Sequence, residues 1–437
     1  MVRAAKKVSP KKPTKKIERT KRVVVLGGGF GGVRAALRLD KLLPPEYEIV
    51  LVDKKGYHLP QWMLYETATV HMTREQWVDY EAVRENAGIP LSLIFKRSRV
   101  AFLQAEVKDL LLSEKKVALL WNMGDGGRHL GFLDFEYAVL ALGGETNYFN
   151  IPGMKENALS LKGLDDALNV RNAIEELCSR KKSTDNIQIV VGGGGFTGVE
   201  FAAELVGYMK KLAAKYHLDP ARLRISIVEA SGCLLPGAKE WIARATQKRL
   251  RALGITIVLD TPIERYLDGQ VFLKGGKIMP ADLLVWTAGV RANSIMEHIT
   301  GAELSKTCLV VNDYLQIAGH EGVYGIGDNV FCFNKVKQCA VPATAQRAID
   351  QANVAATNIA RAVARREMVE YEPHDPVFVV PLGGKYGLAD LSGFGVEGFF
   401  GWALKMTIGL TYLLSILPIP TAISYWWSGL RISTKND

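Results

Sequence analysis

Short, unbroken runs of apolar residues alternate along this chain with longer stretches whose apolar positions recur every three to four residues. The runs have the length of strands buried on both faces, and the recurrences have the period of helices packed on a sheet. The runs are VVVL at 23–26, YEIVLVD at 47–53, FEYAVLALGG at 135–144, IVV at 189–191, RISIVEA at 224–230, ADLLVWTAG at 281–289 and GVYGIGDNV at 322–330. The plainest helical stretches are EFAAELVGYMKKLAAKYHL at 200–218 and VPATAQRAIDQANVAATNIARAVAR at 341–365. Such alternation predicts an α/β chain built on parallel sheets.

Two of the runs open into the same glycine pattern, VVVLGGGFGG at 23–32 and IVVGGGGFTG at 189–198, and a helical pattern leaves each. The first fits G-x-G-x-x-G through Gly27, Gly29 and Gly32, the second through Gly193, Gly195 and Gly198. The first glycine of such a turn permits a tight strand-to-helix reversal, the second admits a pyrophosphate close to backbone N–H groups, and the third lets helix and strand touch. The following helix N-terminus adds partial positive charge. An acid closing the next strand completes the pattern by binding ribose hydroxyls. Asp53 follows Gly27 by 26 residues, and Glu229 follows Gly193 by 36. The second interval exceeds the usual roughly 20 residues, which a lengthened helix accounts for. An acid at the ribose 2′-OH repels a 2′-phosphate, so Glu229 favours NADH over NADPH. Two such units in one chain point to two dinucleotides held by one polypeptide, and so to a flavoprotein taking electrons from a nicotinamide.

The expected architecture is two Rossmann-like dinucleotide-binding domains, the second inserted into a discontinuous first. The divisions read as a first FAD-binding part over 21–150, an NADH-binding domain over 151–290, a second FAD-binding part over 291–385, and an apolar C-terminal region over 386–437. A length of 437 residues suits two or three domains.

Charge changes the picture only at the start. The net charge is +10, but residues 1–22 hold seven Lys and three Arg against Glu18 alone, so the remainder is nearly neutral. Residues 1–20 lack apolar periodicity and read as a disordered basic arm, with no apolar core of a secretory signal. It suits an anionic lipid surface; no nucleic-acid partner is expected. The five cysteines, at 178, 233, 308, 332 and 339, form no C-x-x-C pair and have no His companions at metal spacing. A reduced, intracellular protein with no metal site is the expectation.

Residues 406–430 carry no charge, which satisfies the length rule for a spanning helix. Pro418 and Pro420 fall within the run and break a single helix, so two segments are expected, about 396–416 and 421–430. Trp402, Tyr412, Tyr425, Trp426 and Trp427 suit a headgroup region. The reading is a monotopic anchor lying in one leaflet.

Beyond the two turns, the chain carries YHLPQWMLYETAT at 57–69, FTGVEFAAEL at 196–205, GIGDNV at 325–330, PATAQRAIDQA at 342–352 and the apolar tail. On these residues it resembles the type II, non-proton-pumping NADH:quinone oxidoreductases over nearly all of its length after residue 21. The resemblance implies bound FAD, NADH as substrate and a membrane quinone as acceptor, on the cytoplasmic face of the cell membrane or the equivalent inner-membrane face; dimers are common in similar enzymes. It implies that Asp328 binds the FAD ribitol, that Val107 contacts the adenine end through its backbone, and that Lys54 lies near the adenosine. Phe30, Gly31 and Gly143 complete the flavin set. Lys405, the single charge in its apolar stretch, approaches the flavin by resemblance, or snorkels to an interface. Gly289 admits the nicotinamide to the flavin ring. Glu200 sits at the nicotinamide face, where it orients the ring or moves a proton; as a first-turn acid it also complements the helix dipole. Ala345 and Gln346 match the quinone-side pair. Where the family often has a second glutamine four residues on, this chain has Asp350, an acid that suits an apolar quinone tunnel poorly.

The nearest rival reading is a sulfide:quinone oxidoreductase, which needs cysteines poised at the flavin; an NADH-dependent reductase with a non-quinone acceptor is the other. A complete second cradle ending in Glu229 favours NADH as donor.

Overall fold

The computed structural model describes residues 21–71, 87–122, 127–335, 337–374, 377–391 and 393–434. The basic arm expected over 1–20 lies outside the described residues. Two five-stranded parallel sheets form the frame, alike in four strands and differing in where the fifth, outermost strand comes from. In the first, Arg22–Leu26 is central, flanked on one side by Glu48–Asp53 and Val100–Gln104 and on the other by Tyr137–Leu140 and Val323–Gly325. In the second, Ile187–Gly192 is central, flanked by Leu223–Val228 and Thr256–Val258, and by Leu283–Trp286 and Leu159–Ser160. Val23, Val24, Val25 and Leu26 have no exposed surface. The unbroken apolar runs are therefore the central strands, covered on both faces.

The outermost strand of each sheet comes from outside its own βαβ series. Val323–Gly325 returns to the first sheet after the second is complete. Gly144–Thr146 pairs antiparallel with Val290–Ala292, which ties together the two crossings between the units.

The first turn leads into the helix Phe30–Leu42, which packs on the helix Ala345–Val363. The contact is close because small residues face each other: Ala35 and Ala36 on one helix, Ala348, Ala352, Ala355 and Ala356 on the other, all in one core cluster. Thr344 caps the second of these helices by accepting the Arg347 N–H at 3.2 Å. The second turn leads into Phe196–Tyr216, a 21-residue helix against 13 in the first unit, which accounts for the long interval to Glu229.

The tail forms two helices, Phe399–Ile416 and Ile419–Ser433, as the prolines require. The boundaries differ from the expected 396–416 and 421–430. Residues Phe394–Gly398 form a strand paired with Gly387–Leu391, which delays the first helix. Pro420 lies in the first turn of the second helix, where its missing N–H costs nothing, so that helix starts earlier and runs on through Arg431. Tyr412, Leu413, Ile416, Leu417 and Ala422 belong to the same core as Val23, Val25 and Phe30. The inner face of the tail is thus part of the first unit, while Phe399, Phe400, Ile419, Ile423 and Trp427 are exposed.

Candidate active site

The two glycine turns are built alike to the level of single atoms. Gly27 and Gly193 both have φ +113°, a region closed to most side chains. A Cβ on Gly27 would stand 2.2 Å from Ala141 O, and one on Gly193 2.8 Å from Ala288 N. A Cβ on Gly32 would meet Gly27 O at 1.7 Å, and one on Gly198 would meet Gly193 O at 2.0 Å, so helix and turn touch backbone to backbone. Gly29 and Gly195 differ from these: nothing stands within 4 Å of where their Cβ would be. Those open positions are where a phosphate can approach.

The closing acids are twinned too. Asp53 Oδ2 accepts the Gly28 N–H at 2.6 Å, and Glu229 Oε2 accepts the Gly194 N–H at 2.6 Å. The other oxygen of each caps the chain two residues on, from Lys55 N at 2.7 Å and from Ser231 N at 2.8 Å. Burial raises the Asp53 carboxyl, opposed by the two amide hydrogen bonds.

A cavity of about 630 Å³ runs between the two units and the tail. It brings together Gly29, Phe30, Gly31, Gly143 and Asp328 from the first unit with Glu200 and Gly289 from the second. Ala345, Gln346 and Lys405 complete the set of expected residues that line it. The wall does not include Gly27, Gly32, Gly193, Gly195, Gly198, Asp53 or Glu229, which shape the turns from behind or beside it. Lys54 and Val107 also lie off the cavity; the Lys54 carbonyl accepts from Gln104 at 3.2 Å, and Val107 sits on the strand Glu106–Leu111 opposite Leu119. Asp350 does not line the cavity either, and its neighbour Gln351 is turned inward, accepting the Gly327 N–H at 2.7 Å. Only the N-terminal end of the Ala345–Val363 helix reaches the wall, and Asp350 lies one turn further along it.

Several further residues at the site have no role assigned from the sequence. Lys162 reaches from the linker to pair with Asp328 at 3.4 Å. Lys405 pairs with Glu66, which lies on the short buried helix Met63–Ala68. Glu204, one turn beyond Glu200, is buried and, with Glu66, acts on the Glu200 carboxyl. Burial pushes the Glu200 carboxyl up to about 8, with Glu66 and Glu204 adding to the rise and Lys405 opposing it. Glu200 thus holds a proton at neutral pH beside the cavity. A lone acid in the apolar MLYETA stretch was the available signal for Glu66.

None of the five cysteines lines the cavity. Burial pushes the Cys178 thiol up to about 12 and the Cys332 thiol up to about 11, the opposite of what a reactive thiolate needs.

The model for pyridine nucleotide-disulphide oxidoreductases matches residues 21–356. A type II NADH:quinone oxidoreductase of Staphylococcus aureus is 31% identical over 388 residues, covering 86% of this chain and 91% of its own length. The chain belongs to the type II NADH:quinone oxidoreductases, within the pyridine nucleotide-disulphide oxidoreductase family. Two solved structures share the fold of this oxidoreductase. NDH2 from Plasmodium falciparum in complex with NADH has a TM-score of 0.75 at 17% identity, covering 94% of this chain and 98% of that one. The sulfide:quinone oxidoreductase of Aquifex aeolicus has a TM-score of 0.72 at 16% identity, covering 95% and 92%. Two cradles with open second glycines, whose helices both contribute to one shared cavity, fit the two dinucleotides that the family's chemistry requires.

Proposed function

We propose that this chain oxidises NADH and passes the electrons through bound FAD to a membrane quinone without moving protons across the membrane. The observation that carries the reading is one cavity shared by both units and the tail. Its wall combines Thr197 and Glu200 of the second cradle helix with Gln346 and the tail residues Met406, Tyr425 and Trp426. FAD, when bound, supplies hydride acceptance and electron release, and the protein supplies placement.

The first cradle would hold FAD through the amides of its turn, with Asp328 offering a carboxylate to the ribitol and Gly143 part of the same wall. The second cradle holds NADH, with Glu229 at the ribose and Gly289 leaving room for the nicotinamide. Glu200 and its neighbouring acids keep a proton at the nicotinamide end of the cavity. Gln346 offers an amide to a quinone carbonyl. Val107 and Lys54 belong to the adenosine end.

The tail supports a site held at a lipid surface. Phe399–Ile416 is long and apolar enough to cross a membrane by length and composition. Its Lys405, however, is fastened to Glu66 inside the protein, and Trp426 of the second helix donates to the Met406 carbonyl at 2.9 Å. Both helices lie along the body with their outer residues exposed, which suits one leaflet of the cytoplasmic face rather than a span. Between residues 399 and 430 Lys405 is the single charge, so no charged path crosses the tail.

The test is steady-state turnover of the detergent-purified protein with a short-chain quinone, supplied with NADH or with sulfide. Turnover with NADH and none with sulfide supports the reading; turnover with sulfide alone refutes it in favour of the cysteine-based rival.

A further inference from the structure

The twin turns differ in what holds the carbonyl just before the open glycine. In the first, the Gly28 carbonyl accepts from His58 Nδ1 at 2.9 Å. A carbonyl oxygen can only accept, so the proton is on Nδ1 and Nε2 is the acceptor of a neutral ring. Nε2 lies 2.8 Å from the hydroxyl of Tyr412, on the first tail helix, and the hydroxyl donates to it. His58 has no exposed surface, and the Phe30 ring meets it edge-on at 5.0 Å and Tyr412 at 4.9 Å. In the second turn the corresponding carbonyl, that of Gly194, accepts a backbone N–H from Leu235 at 2.8 Å. One turn is held from within its own unit, and the other by a side chain fastened to the tail.

The carbonyl of Gly28 and the N–H of Gly29 belong to one peptide. It is trans, since the described chain contains no cis bond, and in a planar trans peptide the two groups point to opposite sides. Holding the carbonyl on buried His58 therefore turns the Gly29 N–H the other way. Gly29 lines the cavity, and its N–H donates to no acceptor among the described residues. That N–H is the kind of donor a pyrophosphate uses at such a turn. Glycine on both sides of the peptide opposes rotation only weakly, so an external hold decides where the donor points.

We propose that Tyr412, acting through His58, is a positioning residue for FAD: retention of the cofactor in the first cradle depends on docking of the first tail helix through His58, whereas the Gly194 carbonyl of the second turn is held without the tail. This rests on FAD occupying the first cradle. Binding linkage is reciprocal, so bound FAD also holds the tail in place.

The test compares the purified holoenzyme with Tyr412→Phe and with Ser415→Ala. Ser415 accepts from Arg34 at 2.7 Å, a surface contact of the same tail helix that bypasses His58. FAD release is followed by the rise in flavin fluorescence after dilution, NADH binding by its own titration, and tail docking by protease cleavage with and without FAD. Loss of one hydrogen bond predicts release about fivefold faster in Tyr412→Phe. NADH affinity is unchanged, Ser415→Ala stays near the wild-type rate, and FAD no longer protects the tail of Tyr412→Phe. Wild-type release from Tyr412→Phe, or equal acceleration in Ser415→Ala, overturns the proposal. Purified wild-type protein that holds no FAD refutes instead the assignment on which the proposal rests.

Discussion

Lys405 on the first tail helix donates to Glu66 on the buried Met63–Ala68 helix, an ion pair joining positions 339 residues apart. Both side chains are nearly sealed, at 11% and 3% exposure. Removing one partner of such a pair strands the other charge at a cost of about 3–5 kcal/mol. Lys405→Met is therefore expected to lower the thermal midpoint and to expose the tail to protease. It also removes the one cation that restrains the Glu200 carboxyl, so the Glu200 titration moves further up.

Glu200, pushed up to about 8, is protonated through the neutral range and loses its proton as pH rises past that value. Quinone reduction that draws on this proton should fall on the alkaline side of pH 8. Glu200→Gln should slow re-oxidation by quinone by about a hundredfold and erase that alkaline limb. The measurement is the pH profile of the quinone half-reaction in both proteins.

His58 gives stability a different pH dependence. Burial pulls its imidazole down to about 4 from an ordinary 6.5. Below pH 6.5 the unfolded chain takes up a proton that the folded chain refuses, so this stability is present above 6.5 and is lost as pH falls toward 4. The loss across the window is about 3 kcal/mol. Thermal unfolding between these pH values should show it, and His58→Gln should make the slope shallower by one proton.

Glu229, proposed for the ribose, has its carboxylate held by Gly194 and Ser231. Glu229→Gln keeps the shape and removes the charge that repels a 2′-phosphate. The NADPH-to-NADH ratio of kcat/KM should rise by about tenfold or more, equivalent to about 1.4 kcal/mol.

Gln346 lines the cavity and Asp350 does not. Gln346→Ala should slow re-oxidation by quinone while flavin reduction by NADH is unchanged. Asp350→Asn should leave the quinone KM at its wild-type value. A raised KM in Asp350→Asn would place the acid at the quinone after all.

The two cradles are legible in sequence because their glycines answer steric demands that no other residue meets, as the short distances at Gly32 and Gly198 show. The break in the tail is legible for the same kind of reason, since proline cannot sit in a helix interior. The acid cluster is harder to read. Glu200 and Glu204 share one helix face by spacing, but Glu66 and Lys405 arrive from segments that no local pattern links to them. Nor does a period of four mark where a cavity ends: Asp350 follows Gln346 by one turn, yet the wall stops with the helix's first turn. His58 was invisible for a further reason, because its role depends on Tyr412, far off in the tail.

The most direct measurement is anaerobic stopped-flow on the detergent-purified protein, following the oxidised-flavin absorbance while NADH is added first and a soluble quinone second. The account predicts rapid bleaching by NADH and rapid recovery with quinone. Bleaching that no quinone reverses, or no bleaching by NADH at all, would contradict it.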